Sequence, residues 1–294
     1  MLGTTWRRTL LLTCAIAGAI ALPGVAGAAL PAVTVDAVTT PLANFGTHRG
    51  VTVTARCAAG TRLVGGGGYL RTVADPAAPG AVPPTNGLVL GGTAASTGAS
   101  PVDLFAGDGA VDPASWLSIA NYTGVSEAGN QAPSFALCTT SAGPSHTVVK
   151  VASRTAANAT QEASPPTVTT ATCPAGTRLI GGGATTSTPD QVNDVVTVGN
   201  NGNLKPLGSY PSNAGGVAAA NGSTSATSWS AYGSAGITST GDTVTTVALC
   251  SSDPATAPVQ VARTDIDGPD AQPANTVITS SATCPAGTRL LAGG

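Results

Sequence analysis

Apolar positions downstream of residue 28 fall in short runs, and no stretch carries an apolar stripe at helical spacing with caps at its ends. Runs rich in Val, Thr and Ile occupy Val51–Ala55, Thr167–Thr172, Val195–Val198, Val244–Val247 and Thr276–Thr279. Clusters of Gly, Pro, Asn and Ser separate them. β-Branched residues fit a pleated, half-buried surface, and the small polar clusters supply the turns between strands. The pattern predicts an all-β protein.

The N-terminus is different. Arg7 and Arg8 precede an apolar run from Leu10 to Leu22, and Pro23 leads into the small residues Val25-Ala26-Gly27-Ala28. This is the layout of a secretory signal peptide cleaved after Ala28. The run has about 13 residues, whereas a membrane span needs roughly 20. Arg7-Arg8 faintly resembles a twin-arginine signal, although Trp6 stands where that motif prefers Ser or Thr. Ordinary export is the favoured reading. Thr13 before Cys14, where a lipoprotein has a small residue, argues against a lipid anchor.

The rest of the chain repeats itself. One element reads Cys57-Ala-Ala-Gly60-Thr61-Arg62-Leu63-Val-Gly-Gly-Gly67, then Cys173-Pro174-Ala-Gly176-Thr177-Arg178-Leu179-Ile-Gly-Gly-Gly183, then Cys284-Pro285-Ala-Gly287-Thr288-Arg289-Leu290-Leu-Ala-Gly-Gly294. The interval, about 110 residues, is that of a small domain rather than a solenoid repeat. Later in each complete copy come Ser115-Trp116 and Ser228-Trp229, then Phe135-Ala-Leu-Cys138 and Val247-Ala-Leu-Cys250. A weaker tail follows in Val149–Arg154 and Val259–Arg263, and the polar, proline-containing stretches Thr155–Pro166 and Asp265–Asn275 read as linkers. The expected organisation is a signal peptide (1–28), a first β domain (29–157), a second (158–266), and a linker with the start of a third copy (267–294). On this reading the third copy is cut short within its opening motif.

Export into an oxidising compartment gives the cysteines a physical role. An early and a late cysteine recur in each copy, so the expected bridges are Cys57–Cys138 and Cys173–Cys250, with Cys284 unpaired. In the loop-entropy picture a closed loop of about 80 residues contributes roughly 4–5 kcal/mol, an upper value. That equals much of a small domain's net stability. Zinc ligation would require closely spaced Cys and His sets such as C-x-x-C, and the sequence has none. The fold expected is a pair of β-sandwich or barrel-like domains with one disulfide each. Immunoglobulin topology is not expected, because there a tryptophan follows the first cysteine closely. Within the opening element, proline reads as the second and glycine as the fourth residue of a tight turn. The Gly-Gly-Gly run reads as a bulge or a close backbone approach.

These elements resemble a group of exported repeat proteins of high-GC Gram-positive bacteria. In that group a C-P-A-G-T-x-[hydrophobic]-x-G-G-G element opens a repeat, and an aromatic-Ala-Leu-Cys element closes it. The resemblance spans nearly all of the chain beyond residue 28. It implies a scaffold and carries over no catalytic residues.

Charge and composition narrow the function by exclusion. Taking Arg7 and Arg8 from the 12 basic residues leaves 10 against 14 acidic, so no basic footprint for nucleic acid remains. After signal cleavage no apolar segment is long enough for a membrane span. Aromatic residues are 3% of the chain, so the cores rest on Val, Ala and Leu.

Catalysis has little to draw on. The two histidines, His48 and His146, do not recur between copies, and no G-x-S-x-G elbow surrounds any serine. The glycine run lacks the Lys-Ser/Thr of a phosphate loop. No catalytic residue, cofactor or metal is expected. Asp265-Ile-Asp267-Gly268-Pro-Asp270 departs from calcium-loop spacing and reads as a solvated linker.

Candidate binding residues are the recurring Trp116, Trp229, Arg62 and Arg178. A tryptophan can stack on a sugar and an arginine can grip an anion. Against this, one tryptophan per aromatic-poor domain reads as a core anchor, and an arginine after a turn reads as a strand-edge cover. The function expected is a secreted, non-catalytic structural or adhesive protein at the cell surface. The alternative is a module binding cell-surface glycan or another protein, and a secreted hydrolase is a distant third.

Overall fold

The computed structural model describes residues 32–41, 49–70, 88–98, 105–122, 131–140, 146–155, 166–187, 205–234, 242–253, 259–265 and 280–293. The expected signal peptide, the expected strands Val195–Val198 and Thr276–Thr279, and most of both expected linkers lie outside these residues.

Among the described residues the protein is all-β, with twelve strands. A first set comprises β1 (Val33–Pro41), β2 (Arg49–Arg56), β3 (Arg62–Gly68), β4 (Leu88–Ser96), β5 (Ser115–Tyr122) and β6 (Gln131–Thr139). A second comprises β7 (Thr147–Thr155), β8 (Thr167–Thr172), β9 (Arg178–Ser187), β10 (Lys205–Ser212), β11 (Ser228–Ser234) and β12 (Thr243–Ser251).

The two sets have one connectivity. In the first, β6 lies between β1 and β3, and β5 lies between β2 and β4; in the second, β12 lies between β7 and β9, and β11 between β8 and β10. All of these pairings are antiparallel. The sets then merge at an edge, because Gly92 and Thr93 of β4 pair with Thr185 and Ala184 of β9. A six-stranded sheet of order β2-β5-β4-β9-β12-β7 results, flanked by β1-β6-β3 and β10-β11-β8. Each disulfide ties the two sheets of its own set. Cys57, just past β2, bonds Cys138 on β6, and Cys173, just past β8, bonds Cys250 on β12, with Cα separations of 5.6 and 5.5 Å.

The tail Val149–Arg154, placed by sequence at the end of the first copy, is strand β7 and runs beside β12 from Thr147↔Ser251 to Thr155↔Thr243. The strand phase is therefore offset from the cysteine phase. Each set opens with a strand that precedes its Cys-x-Ala-Gly turn.

That turn is also one residue out of the expected register. The N–H groups of Thr61, Thr177 and Thr288 donate to the carbonyls of Ala58, Pro174 and Pro285 at 3.0, 3.1 and 3.0 Å. Their hydroxyls donate to the same carbonyls at 2.7, 2.7 and 2.6 Å. Glycine thus occupies the third turn position, with φ of +82° at Gly60 and Gly176 and +80° at Gly287, where a type II turn needs positive φ. Proline sits at the first position, where its ring is not required, and Ala58 serves equally well.

A bulge lies in the glycine-rich strand of both sets. Leu63 faces Cys138 and Gly65 faces Leu137, leaving Val64 as the extra residue; Ile180 is the extra residue between Leu179 and Gly181. Val64 and Ile180 are buried in a cluster with Leu63, Trp116, Val149, Val247 and Leu249. One core therefore draws on both sets. A second, around Trp229, Leu179, Ala248 and the Cys173–Cys250 bridge, belongs to the second set.

Candidate functional site

The two tryptophans occupy matching places. Trp116 on β5 is 0% exposed and Trp229 on β11 is 3% exposed. Each indole lies against a glycine of the Gly-Gly-Gly run. A Cβ at Gly66 would collide with the ring of Trp116 and the carbonyl of Phe135; one at Gly182 would collide with the ring of Trp229 and the carbonyl of Val247. Neither ring offers a face to an external ligand. Both indole Nε1–H groups are buried, and among the described residues neither has an acceptor. An orphaned N–H costs about 1–3 kcal/mol, whereas burying 150–250 Å² of ring at 25 cal/mol/Å² contributes roughly 4–6. Packing outweighs the lost hydrogen bond.

Arg62 and Arg178 part company. The Arg62 guanidinium lies 3.5 Å from Asp112 Oδ2, with both side chains more than a third exposed. Asp112 Oδ1 accepts the backbone N–H of Thr147 at 2.9 Å. The pair lines a shallow cavity of about 250 Å³ with Gly60, Thr61, Leu63, Pro113, Ala114 and Thr147. The arginine is thus already engaged by a carboxylate that anchors the start of β7. Aligning the matched bonds Cys57 N–H to Ala114 O and Cys173 N–H to Thr227 O puts Ser225 where the first set has Asp112. Arg178 is an exposed residue, and Ser225 rather than a carboxylate stands at the position equivalent to Asp112.

The remaining charges act locally. Lys150 Nζ lies 2.7 Å from Asp108 Oδ2, and Asp108 Oδ1 accepts the Val151 N–H at 3.0 Å. Lys150 and then this backbone N–H hold the Asp108 carboxyl below its usual range. Arg263 pairs with Asp265 at 2.7 Å, while Asp267 and Asp270 lie outside the described residues. His146 is exposed with φ +56°, and its carbonyl faces Ser252. His48 lies outside the described residues. Among those residues no group of three or more His, Cys, Asp or Glu is placed to hold a metal ion. Cys284 is half-buried and carries no disulfide.

No helix among the described residues is long and apolar enough to cross a membrane. The two disulfides are compatible with an extracellular location. Compared with protein-family models, with curated proteins and with solved structures, the chain matches none.

Proposed function

We propose that the protein is a secreted, non-catalytic repeat protein with a structural or adhesive role at the cell surface. The observation that carries this reading is the shared six-stranded sheet. Two disulfide-closed sets are joined edge to edge through β4 and β9 rather than strung on a flexible linker. Such a body suits holding a fixed shape outside the cell, and its uncompensated charge is small. The inward placement of Trp116 and Trp229 supports the same reading, since a stacking platform for glycan needs an exposed ring.

The test exposes mature protein to arrays of peptidoglycan, cell-wall polysaccharide and matrix proteins. Truncating either tryptophan would unfold the core, so the diagnostic variants are Arg62→Ala and Arg178→Ala, which alter exposed recurring side chains. The reading expects weak multivalent adhesion that is indifferent to both substitutions. Saturable glycan binding lost in both variants would replace it with the glycan-binding reading, and turnover of a hydrolase substrate would overturn it outright.

A further inference from the structure

Residues 259–265 sit on the second set as β7 sits on the first. Gly109 N–H donates to Val149 O at 2.9 Å, Val149 N–H to Ala110 O at 2.8 Å, and Val151 N–H to Asp108 Oδ1 at 3.0 Å. The same three bonds recur as Gly222 N–H to Val261 O at 2.8 Å, Val261 N–H to Ser223 O at 2.9 Å, and Arg263 N–H to Asn221 Oδ1 at 3.0 Å. On its other edge β7 pairs along its whole length with β12. Residues 259–265 have no strand there among the described residues.

The third Cys-Pro-Ala-Gly element continues the correspondence. Position by position, Leu291 matches Val64 and Ile180, and Ala292 matches Gly65 and Gly181. These residues converge in space. A Cβ at Gly181 would meet Val64 O and the Ala292 side chain; one at Gly65 would meet Leu291 O and Ala292. The second copy's glycine thus faces the first copy's carbonyl, and the first copy's glycine faces the third copy's. Two of the three contacts expected of three equal parts in cyclic order are thus present.

Two parts are filled, and the gap is visible at matching strands. The edge of β9 is taken by β4 and the edge of β4 by β9, whereas among the described residues the equivalent edges of β3 and β10 carry no strand. Apolar exposure marks the same gap. Val149 on β7 is 0% exposed beneath the first set's loop, but Val35, at the same register on β1, is 62% exposed. Leu207, on β10, is 54% exposed, and Leu290 is 52% exposed where its equivalents Leu63 and Leu179 are buried.

We infer that the space between β3 and β10 is the seat of a third six-strand set, opened by residues 259–265 and 289–293, whose remaining strands bear the Ser-Trp and Ala-Leu-Cys elements. Seated there, it converts both three-stranded sheets into six-stranded ones by strand addition and closes a ring of three sets. Its late cysteine is the disulfide partner of Cys284, by loss of two thiol protons and two electrons to the oxidant of the exporting compartment. The seat rests on strand placement alone; the Cys284 bridge also rests on the export that is part of the reading above.

The test appends a second copy of residues 184–253 after Gly294 of the mature chain. The free thiol of Cys284 should disappear into a bridge with the added copy of Cys250. Amide exchange along the open edges of β3 and β10 should slow by about tenfold or more. A thiol that stays free, or edges that exchange as before, would overturn the inference. A synthetic peptide of residues 242–251, added to the unextended chain under oxidising conditions, tests the seat without the fusion. Cys284 should capture it about tenfold faster than a scrambled peptide, and equal capture counts against the seat. Dimerisation of the unextended chain with both edges protected would assign the gap to a second copy and overturn the inference likewise.

Discussion

Gly66 and Gly182 earn their place through what lies opposite them. Each would drive a Cβ into an indole ring and into a backbone carbonyl across the strand, and the carbonyl cannot move aside as a flexible side-chain tip can. Gly66→Ala and Gly182→Ala are each expected to lower stability by about 1–3 kcal/mol, the range for overpacking a filled core. Gly107→Ala, where nothing lies within 4 Å of the added atom, is expected to stay within about 0.5 kcal/mol. Chemical denaturation of the three variants checks this, and equal losses would refute the ring-on-glycine account. The glycine run was legible in sequence as a bulge or a close approach, and it is both. The partner of the approach was not legible, because Trp116 lies far along the chain and only the fold brings it to β3.

At the scale of single strands, the strand phase was the feature hardest to read. Val33-Thr-Val35, Thr147-Val-Val149 and Val259-Gln-Val261 are short and degenerate beside the cysteine element. The stronger motif therefore set the frame, although hydrogen bonding starts each set one strand earlier. The turn was misread by one residue for a related reason, since proline is common at the second position of turns and here stands at the first. The side-chain acceptors that seat β7 and residues 259–265 carry no motif at all. They differ in one useful respect: Asp108 titrates and Asn221 does not. Because the Asp108 carboxyl is held below its usual range in the folded protein, its contribution is fully present above the unfolded value near 4 and is lost as pH falls through the lower folded value. Acidification below about pH 4 is therefore expected to release the Val151 amide while leaving the Arg263 amide in place, read by amide chemical shift against pH. Asp108→Asn should abolish the difference. Identical titration of both amides would remove Asp108 from the seat.

For the molecule as a whole, the sequence predicted two separate domains, each stabilised by its own bridge, and the bridges stand where the spacing put them. The joint between the sets was not legible, because an edge pairing of two residues, Gly92↔Thr185 and Thr93↔Ala184, leaves no periodic trace. Its energetic reach exceeds its length. The larger core takes Leu63, Val64 and Trp116 from the first set and Val149, Ile180, Val247 and Leu249 from the second, so neither set keeps that core whole if the other unfolds. Thermal unfolding of the oxidised protein is accordingly expected to be a single calorimetric transition whose van't Hoff and calorimetric enthalpies agree. Gly183 lies in the seam, where a Cβ would strike Thr93 O and press on Ala94 Cα. Gly183→Val should therefore pry β9 from β4 without touching either disulfide. Two resolved transitions in that variant, against one in the parent, are the expected outcome. Two transitions in the parent would mean that the sets are independent domains and that the shared sheet contributes little to holding them together.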